Sequence, residues 1–248
     1  MVDLIAYRQS ERELSRTNDL LNLMPASGRI ALDVGARDGF LSTLLADRYD
    51  TVVALDLAKL EINDPRIALV QGDVGKLAFT TGAFDLVVCC EVLEHVPSHL
   101  LQRACDEIVR VAGRSVVIGV PYKQDIRLGR TTCGNCGKQN PPWGHVNSFD
   151  EHRLRGLFAS LAVLKLSYVG VTNDVTSVAA AALMEFAGNP YGTYSQEEGC
   201  IYCGRRLSRP ARRTLPQKLA TKAGLLLNRF QRAVTPLHAN WIHVHFAK

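Results

Sequence analysis

The stretch Ala31–Phe40, ALDVGARDGF, decides the fold class of this chain. An apolar run ends in Asp33, and Gly35 and Gly39 follow before an apolar segment with helical spacing. Glycine permits a tight turn and a close approach of a ligand to the backbone, and the first N–H groups of the next helix have no partner within that helix. The pattern therefore predicts a ligand-binding turn between a buried strand and a helix.

Short apolar runs and helical segments continue to alternate along the chain. Strands are predicted at 29–34, 51–57, 66–73, 83–91, 114–121, 162–170 and 240–248, and helices at 3–23, 39–49, 98–112, 149–159 and 214–234. Strands that alternate with helices form a sheet that is covered on both faces and is largely parallel. We therefore expect an α/β fold with a doubly wound, mostly parallel, seven-stranded sheet.

Two more acidic residues, Asp56 and Asp73, stand at the ends of the second and third predicted strands. Ligands of such sheets gather at the carboxyl ends of the strands, and an acid about 20 residues after the glycine turn accepts hydrogen bonds from ribose hydroxyls. Caps or surface turns are the alternative explanation for each acid taken alone. A NAD-type site fits less well, because Gly35 and Gly39 do not match the pattern G-x-G-x-x-G.

Residues 28 to about 121 resemble the class I S-adenosylmethionine-dependent methyltransferases in the motifs LDVGARDGF, VVALDL, QGDV and FDLVVCCEVLEHV. The resemblance implies a core over residues 24–121 that binds S-adenosylmethionine. The cofactor-binding residues that it implies are Asp33, Gly35, Ala36, Gly39, Asp56, Leu57, Asp73, Val74, Cys90 and Glu91. Arg37 stands where the family usually has glycine; its guanidinium is expected either to pair with the carboxylate of the cofactor or to face solvent.

Three side chains are candidates for the chemistry of methyl transfer. A hydroxyl acceptor benefits from a general base, and histidine is the usual one. His145 lies in the segment PPWGHVNSF after the fifth strand, and Glu94 and His95 follow the fourth strand. Because loops on the functional face carry catalytic residues more often than helices do, His145 is the first candidate, either as the base or as an orienting residue. The resemblance favours a structural role for His95.

Four of the seven cysteines form two C-x-x-C-G motifs, with Cys133, Cys136, Cys200 and Cys203 as their members. Two-residue spacing lets both sulfurs of a motif reach one tetrahedral ion, and the glycine that follows can turn backbone N–H groups toward the sulfurs. We expect a structural zinc ion that joins two insertions, 122–148 and 187–239, into a cap after strands five and six. A redox pair or free thiols are the alternative.

The carboxyl-terminal region is strongly basic. From Arg205 to Lys248 there are ten Lys or Arg residues and no acid, so the remainder carries 19 basic and 24 acidic residues. The helix predicted at 214–234 has one apolar face, made of Leu215, Leu219, Ala223, Leu226, Leu227, Phe230 and Val234. Through residues 205–234 we expect an anionic partner, either a membrane surface, nucleic acid or a phosphorylated or lipid-linked substrate. Packing on the sheet or on a second subunit is the alternative.

The composition is ordinary for a globular protein, with 47% hydrophobic and 21% charged residues. The first residues lack the apolar core of a signal peptide, so we expect a cytoplasmic protein, peripheral at a membrane through its basic region. We expect one methyltransferase domain over 1–248 that methylates a small molecule, at a hydroxyl group of a saccharide or lipid-linked metabolite. An RNA methyltransferase that uses the basic region and the zinc cap is the second hypothesis. A non-catalytic interaction module is the third.

Overall fold

The computed structural model describes residues 8–196, 199–210 and 212–248. The chain forms two compact units. The sheet unit comprises the described residues up to Tyr122 together with 149–170 and 239–248, and the insertion unit comprises 123–148 and 171–238. The second insertion thus begins at Val171, earlier than the boundary at 187 that the sequence suggested. The predicted helix at 3–23 is described only from Arg8 onward, and its first residues lie outside the described part of the chain.

The predicted helices and strands occur in the predicted order, and the structure adds the helix Val178–Phe186 and two short strands that were not predicted. In chain order they are α1 (Glu11–Leu23), β1 (Gly28–Val34), α2 (Phe40–Ala46), β2 (Tyr49–Asp56), β3 (Ile67–Gln71), β4 (Phe84–Cys90), α3 (Leu101–Val111), β5 (Ala112–Pro121), β6 (Thr131–Thr132), β7 (Gln139–Asn140), a 3₁₀ turn (Pro142–Gly144), α4 (Glu151–Leu157), β8 (Ala162–Val169), α5 (Val178–Phe186), α6 (Leu215–Val234) and β9 (Trp241–Ala247). The short strands β6 and β7 pair with each other in the insertion unit.

The sheet unit contains one seven-stranded sheet with the strand order β3-β2-β1-β4-β5-β9-β8. All pairs from β3 to β5 are parallel, whereas β9 runs antiparallel between β5 and β8. The prediction of a mostly parallel seven-stranded sheet is therefore confirmed. Because β1, β2 and β4 are parallel neighbours, their carboxyl ends meet at one edge of the sheet, and the glycine turn follows β1 there.

Side chains of the central strands are buried on both faces of the sheet. In β4, Val87 and Cys89 belong to one apolar cluster, and Leu86 and Val88 belong to the cluster on the opposite side. This alternation explains why the strand reads as a continuous apolar run. Helix α1 covers part of the second side, and its Asp19 accepts hydrogen bonds from Ser167 and His243 of the neighbouring strands.

Helix α6 begins with a capping box in which Thr214 and Gln217 bond to each other's backbone. Its buried stripe is made of small and polar residues, Ala220, Thr221, Gly224 and Asn228. A Cβ atom at Gly224 would lie 3.2 Å from Met184 Cε of α5, so glycine permits this close helix contact. The predicted apolar face is therefore directed away from α5. Among the described residues, no helix is long and apolar enough to cross a membrane.

Candidate functional site

The turn after β1 requires glycine at two positions. Gly35 and Gly39 have φ angles of 78° and 76°, in the left-handed region. A Cβ atom would lie 2.2 Å from Val92 Cγ2 at Gly35 and 2.4 Å from Ile62 Cδ1 at Gly39. Arg37 also has a positive φ, of 49°, so this position keeps the backbone conformation that a glycine would favour. The departure from the family pattern at Arg37 therefore changes the side chain, which is exposed, more than the path of the turn.

The carboxylate of Asp33 lies beneath this turn, with 2% of the residue exposed. The hydroxyl of Ser42, on α2, donates a hydrogen bond of 2.6 Å to Asp33 Oδ2. Burial nevertheless raises the pKa of Asp33 to about 6, because the ionised form loses its hydration. Asp33 thus joins the start of α2 to the end of β1 from inside the core.

Asp33→Asn should make the stability of the chain less dependent on pH. The folded state holds the proton of Asp33 up to about pH 6, whereas the unfolded chain releases it near pH 3.8. The favourable contribution is therefore complete in acid and is lost as the pH rises through this window, by roughly 3 kcal/mol. Asparagine stays neutral and can still accept the hydrogen bond from Ser42. We expect urea unfolding to show the variant more stable than the wild type near neutral pH and similar in stability around pH 4. The prediction is contradicted if the two proteins differ in free energy of unfolding by the same amount at both pH values.

The carboxylate of Asp56, at the end of β2, is held by two backbone N–H groups. Arg37 N donates to Oδ2 at 2.9 Å, and Ala58 N donates to Oδ1 at 3.0 Å. Each carboxylate oxygen has a further acceptor site, so the group is oriented and still able to bind two hydroxyl donors. The next residue, Leu57, is 71% exposed, which leaves an apolar surface beside the carboxylate.

At the following strand end, Asp73 is exposed and accepts a hydrogen bond of 2.8 Å from Gly75 N. Val74 beside it is half-buried. The structure thus places an acid at the carboxyl end of each of β1, β2 and β3, but only Asp33 is inside the core. Asp56 and Asp73 are the two acids that a ligand at this edge could contact.

Glu91 follows β4 directly and adopts a φ of 57°, a conformation that non-glycine residues rarely take. Trp241 Nε1 donates to Glu91 Oε2 at 3.3 Å, and Arg16 of α1 lies 3.8 Å from Glu91 Oε1. Burial raises the pKa of Glu91, and it raises that of Cys90 as well. No motif in the sequence points to Arg16 or Trp241, because each reaches this strand end from a distant part of the chain.

Glu94 and His95 lie in a turn after β4, and the next helix begins only at Leu101. Glu94 is completely buried, and within the described residues neither oxygen of its carboxyl group has a hydrogen-bond partner. Burial raises its pKa well above the ordinary value, and the nearby charge of Glu91 adds to this effect. A buried carboxyl group of this kind can hold a proton at neutral pH. His95 is exposed, and its backbone N–H donates a hydrogen bond to Val92 O.

His145 belongs to the insertion unit and is 8% exposed. Its Nδ1 lies 2.6 Å from Gln124 Oε1, an acceptor, so Nδ1 carries the proton and donates. In the neutral ring this leaves Nε2 in its acceptor form, as a general base requires. Gln124 therefore orients the ring, a role that sequence analysis did not assign. Trp143, two residues earlier, has a φ of 56°, and its N–H donates to Gln196 Oε1 at 2.8 Å.

The four cysteines of the C-x-x-C-G motifs gather in the insertion unit, with all sulfur atoms within 4.8 Å of one another. Cys133 Sγ lies 3.7 Å from Cys203 Sγ, and Cys136 Sγ lies 3.6 Å from Cys200 Sγ. The two halves have the same local structure. In each, the glycine after the motif donates its N–H to the carbonyl of the first cysteine, and both glycines have a φ of 69°.

Backbone N–H groups favour the ionised form of two of the cysteines, Cys133 and Cys200. Those of Cys136 and Asn135 lower the pKa of Cys133. Burial acts in the opposite direction on Cys200, but the N–H groups of Tyr202 and Cys203 outweigh it and lower its pKa to about 6. At Cys136 the N–H group of Lys138 acts in the same direction, but burial and the hydrogen bonds with the other three sulfurs outweigh it and raise the pKa to about 11. Thiolates are the form that binds metal ions, and four sulfurs at this separation match the tetrahedral donor set of zinc. The donor set and its hydrogen bonds therefore fit a structural zinc ion.

Residues 32–116 match the family model described as "Methyltransferase domain". The chain aligns along nearly its whole length with solved methyltransferases. The fold is that of the class I methyltransferases. One structure with this fold is the N-methyltransferase NodS from Bradyrhizobium japonicum in complex with S-adenosyl-L-homocysteine; its TM-score is 0.53 at 13% identity, over 98% of this chain and 90% of NodS. In this fold, the glycine turn and the acids described above lie at the carboxyl edge of the sheet.

The methyltransferase fold does not by itself select a reaction. The [4+2]-cyclase SpnF aligns with a TM-score of 0.55 at 15% identity, over 94% of this chain and 79% of SpnF. The ubiquinone biosynthesis O-methyltransferase of Paracidovorax citrulli is 37% identical over 103 residues, which are 37% of this chain and 43% of that protein. The chain thus spans less than half of the length of the curated relatives that it matches.

Proposed function

We propose that this chain is an S-adenosylmethionine-dependent methyltransferase that acts on a hydroxyl group of a small molecule. The carboxylate of Asp56 carries the proposal, because it is oriented by backbone N–H groups at the carboxyl edge of the sheet, beside the glycine turn. Such a group can accept hydrogen bonds from both hydroxyls of a ribose. The curated relatives named O-methyltransferases support oxygen as the acceptor atom.

The proposed cofactor site uses the residues of this edge. Backbone at Gly35, Ala36 and Gly39 faces the methionine part, and the exposed guanidinium of Arg37 is suited to pair with its carboxylate. Leu57, Asp73 and Val74 are proposed beside the adenine ring, and Cys90 and Glu91 at the end of β4. The cofactor supplies a methyl group that is activated by its positive sulfur, and the chain contributes orientation, which is worth roughly 7–11 kcal/mol in such reactions.

Asp56→Ala should weaken the binding of S-adenosylhomocysteine about a hundredfold, as measured by calorimetry. The variant loses two hydrogen bonds to an ionised group, together worth about 3–6 kcal/mol, so a hundredfold loss is the lower end of the expected range. Asp50→Ala is the matched control, since Asp50 lies exposed near the other end of the same strand. Equal affinity in Asp56→Ala and the wild type, or no binding to either, would contradict the proposed cofactor site.

In the insertion unit we propose a structural zinc ion bound by the four gathered cysteines, and His145 as the general base. Glu94 and His95 are further candidates for handling the proton. Glu94 is the better of the two, because its buried carboxyl group can hold a proton without a partner among the described residues. His95, exposed in a turn, is better suited to a structural role.

For the acceptor we propose a saccharide or lipid-linked metabolite, because helix α6 carries apolar and basic side chains together. Five large apolar side chains on its outer face are each more than half exposed: Leu215, Leu219, Leu226, Phe230 and Val234. Lys218, Lys222 and Arg229 lie beside them on the same helix. This pattern suits a helix that lies on an anionic membrane surface. An RNA methyltransferase stays the second hypothesis, and salt-sensitive binding of RNA in place of lipid would favour it.

Vesicles that contain phosphatidylglycerol should therefore carry the chain upward in a flotation assay at low salt. Phe230→Ser should reduce this binding about tenfold or more, since burying one such ring in an apolar environment is worth about 1.5–3 kcal/mol. Val171→Ser is the control, because Val171 is also exposed in the insertion unit but lies outside α6. If the wild type fails to float, the membrane contact is wrong.

A further inference from the structure

A cavity of about 390 Å³ lies inside the insertion unit, between α5, α6 and the segment 127–130. Four arginines line it, Arg127, Arg130, Arg229 and Arg232, and among the described residues no acid does. Its volume is at the lower end of the range for small-molecule sites, roughly 300–1,000 Å³. The cavity is therefore large enough for a small ligand, and its guanidinium groups offer hydrogen-bond donors to an anionic one.

Three of these arginines are held in place from outside the cavity. Arg127 makes two hydrogen bonds of 2.8 Å to the carboxylate of Asp125. Arg130 pairs with Glu185 at 2.5 Å, and Arg232 pairs with Asp174 at 2.8 Å. These pairs fix the positions of the guanidinium groups. Each guanidinium carries five N–H donors, so the pairs do not use all of them.

Arg229 differs from the other three, because no hydrogen bond or ion pair joins its side chain to any residue in the described part of the chain. It projects from α6 one turn before Arg232. An exposed guanidinium without a partner keeps its full charge and all of its donors. Arg229 therefore offers a ligand more free N–H donors than any other arginine of the cavity.

Asn228 supplies a second, buried donor to the cavity wall. The residue is 8% exposed, and its Oδ1 accepts a hydrogen bond of 2.6 Å from Thr176 Oγ1. Thr176 is itself fixed, because its N–H donates to Asp125 and its carbonyl accepts from Arg127. The amide of Asn228 is thus oriented, and its Nδ2 has no partner among the residues that are described. The Nδ2 atom is not enclosed by protein, so a ligand in the cavity can accept a hydrogen bond from it.

We propose that this cavity binds a phosphate or diphosphate group. Its donors come from several chain segments, and a phosphate presents several acceptor oxygens in different directions. The ligand is either a soluble phosphate ester or the head group of a lipid, and both offer the same chemistry to the arginines. This site lies wholly in the insertion unit, so the proposal does not depend on the proposed methyl transfer.

Calorimetry of the full chain with inorganic pyrophosphate at low salt should show one site. Arg229→Ala should weaken binding about tenfold or more, as expected for lost hydrogen bonds to a charged group. Asn228→Asp should abolish binding, because it keeps the bond from Thr176 and replaces the free donor with a negative oxygen. Lys138→Ala is the control: it removes one exposed positive charge from the insertion unit, and Lys138 lies outside α6 and does not line the cavity.

Flotation with vesicles of phosphatidylcholine and phosphatidic acid shows whether the phosphate belongs to a lipid head group or to a soluble ester. Loss of flotation in both Arg229→Ala and Asn228→Asp, but not in Lys138→Ala, assigns the site to a lipid head group, because Asn228 is buried away from the outer face of α6. Pyrophosphate binding without that loss assigns the site to a soluble ester. The proposal is overturned if neither probe binds, or if Lys138→Ala weakens binding as much as Arg229→Ala does. Thermal unfolding of each variant verifies that it folds as the wild type does.

Discussion

Removal of zinc should unfold the part of the insertion unit that surrounds the four cysteines. We expect the purified chain to contain one zinc ion, and a chelator to abolish the protection of 131–140 and 199–207 in hydrogen exchange. A structural zinc ion contributes about 10–16 kcal/mol in small domains at neutral pH. The apolar cluster around the cysteines is small, with Leu207 as its only fully buried member besides Cys133 and Cys200 within the described chain. The metal would therefore supply most of the stability of this part of the unit.

Cys200→Ser tests the same site without a chelator. Serine is a poor zinc ligand, and we expect the variant to lose both the ion and the protection from exchange. Cys105→Ser is the control, because Cys105 is buried on α3 in the sheet unit and belongs to neither motif. Zinc is measured by atomic absorption. A zinc-free wild type with four titratable thiols and full protection of the insertion unit would refute the metal site.

His145→Ala should lower kcat about 10²–10⁴-fold while leaving the binding of S-adenosylhomocysteine unchanged. This is the usual contribution of a general base, and the bond to Gln124 already sets the ring in the form that accepts a proton. Methyl transfer from labelled S-adenosylmethionine is measured with catechols, phenyl glycosides and a polar lipid extract as acceptors.

Two further variants show whether orientation of the ring is required. Gln124→Ala keeps the base but removes the bond that orients it, so we expect a smaller loss of kcat than in His145→Ala. His152→Ala is the control, because His152 is exposed on α4. Turnover that is equal in His145→Ala and His152→Ala would make His145 part of the scaffold rather than the base.

Most of the fold could be predicted from the sequence, because its signals are local. Apolar runs of five to ten residues separated by helical segments are sufficient to identify the seven strands. The turn at Gly35 and Gly39 could also be predicted, since only glycine fits those backbone angles beside Val92 and Ile62. Asp56 and Asp73 could be located because parallel strands bring their carboxyl ends to one edge.

Other features depend on contacts between distant parts of the chain. Arg16 and Trp241 reach Glu91 only because α1 and β9 pack beside the end of β4. Arg37 replaces an expected glycine, and its positive φ could not be inferred from its residue type. The second segment of the insertion unit begins at Val171, and it contains a helix that was not predicted, α5, which packs with α6.

In helix α6 the sequence predicts part of the structure, and long-range contacts decide the rest. Its amphipathic pattern predicts a helix and an apolar face, but not which face is buried. Only the tertiary structure shows that the small stripe around Gly224 packs against α5 and that Phe230 stays exposed. A close approach of two helices favours small side chains over large ones, so packing geometry overrides the simple rule that the most apolar face is buried.

The sequence by itself determined the order of most strands and helices, the glycine turn and the acids at the strand ends. It also determined the two-residue spacing of the cysteines in each motif. These features follow from backbone conformation and short spacings. Only the tertiary structure decided which carboxylate is buried, which face of α6 is exposed, and that four arginines surround one cavity. Burial and charge depend on neighbours that the chain brings together from far apart, and no local pattern encodes those neighbours.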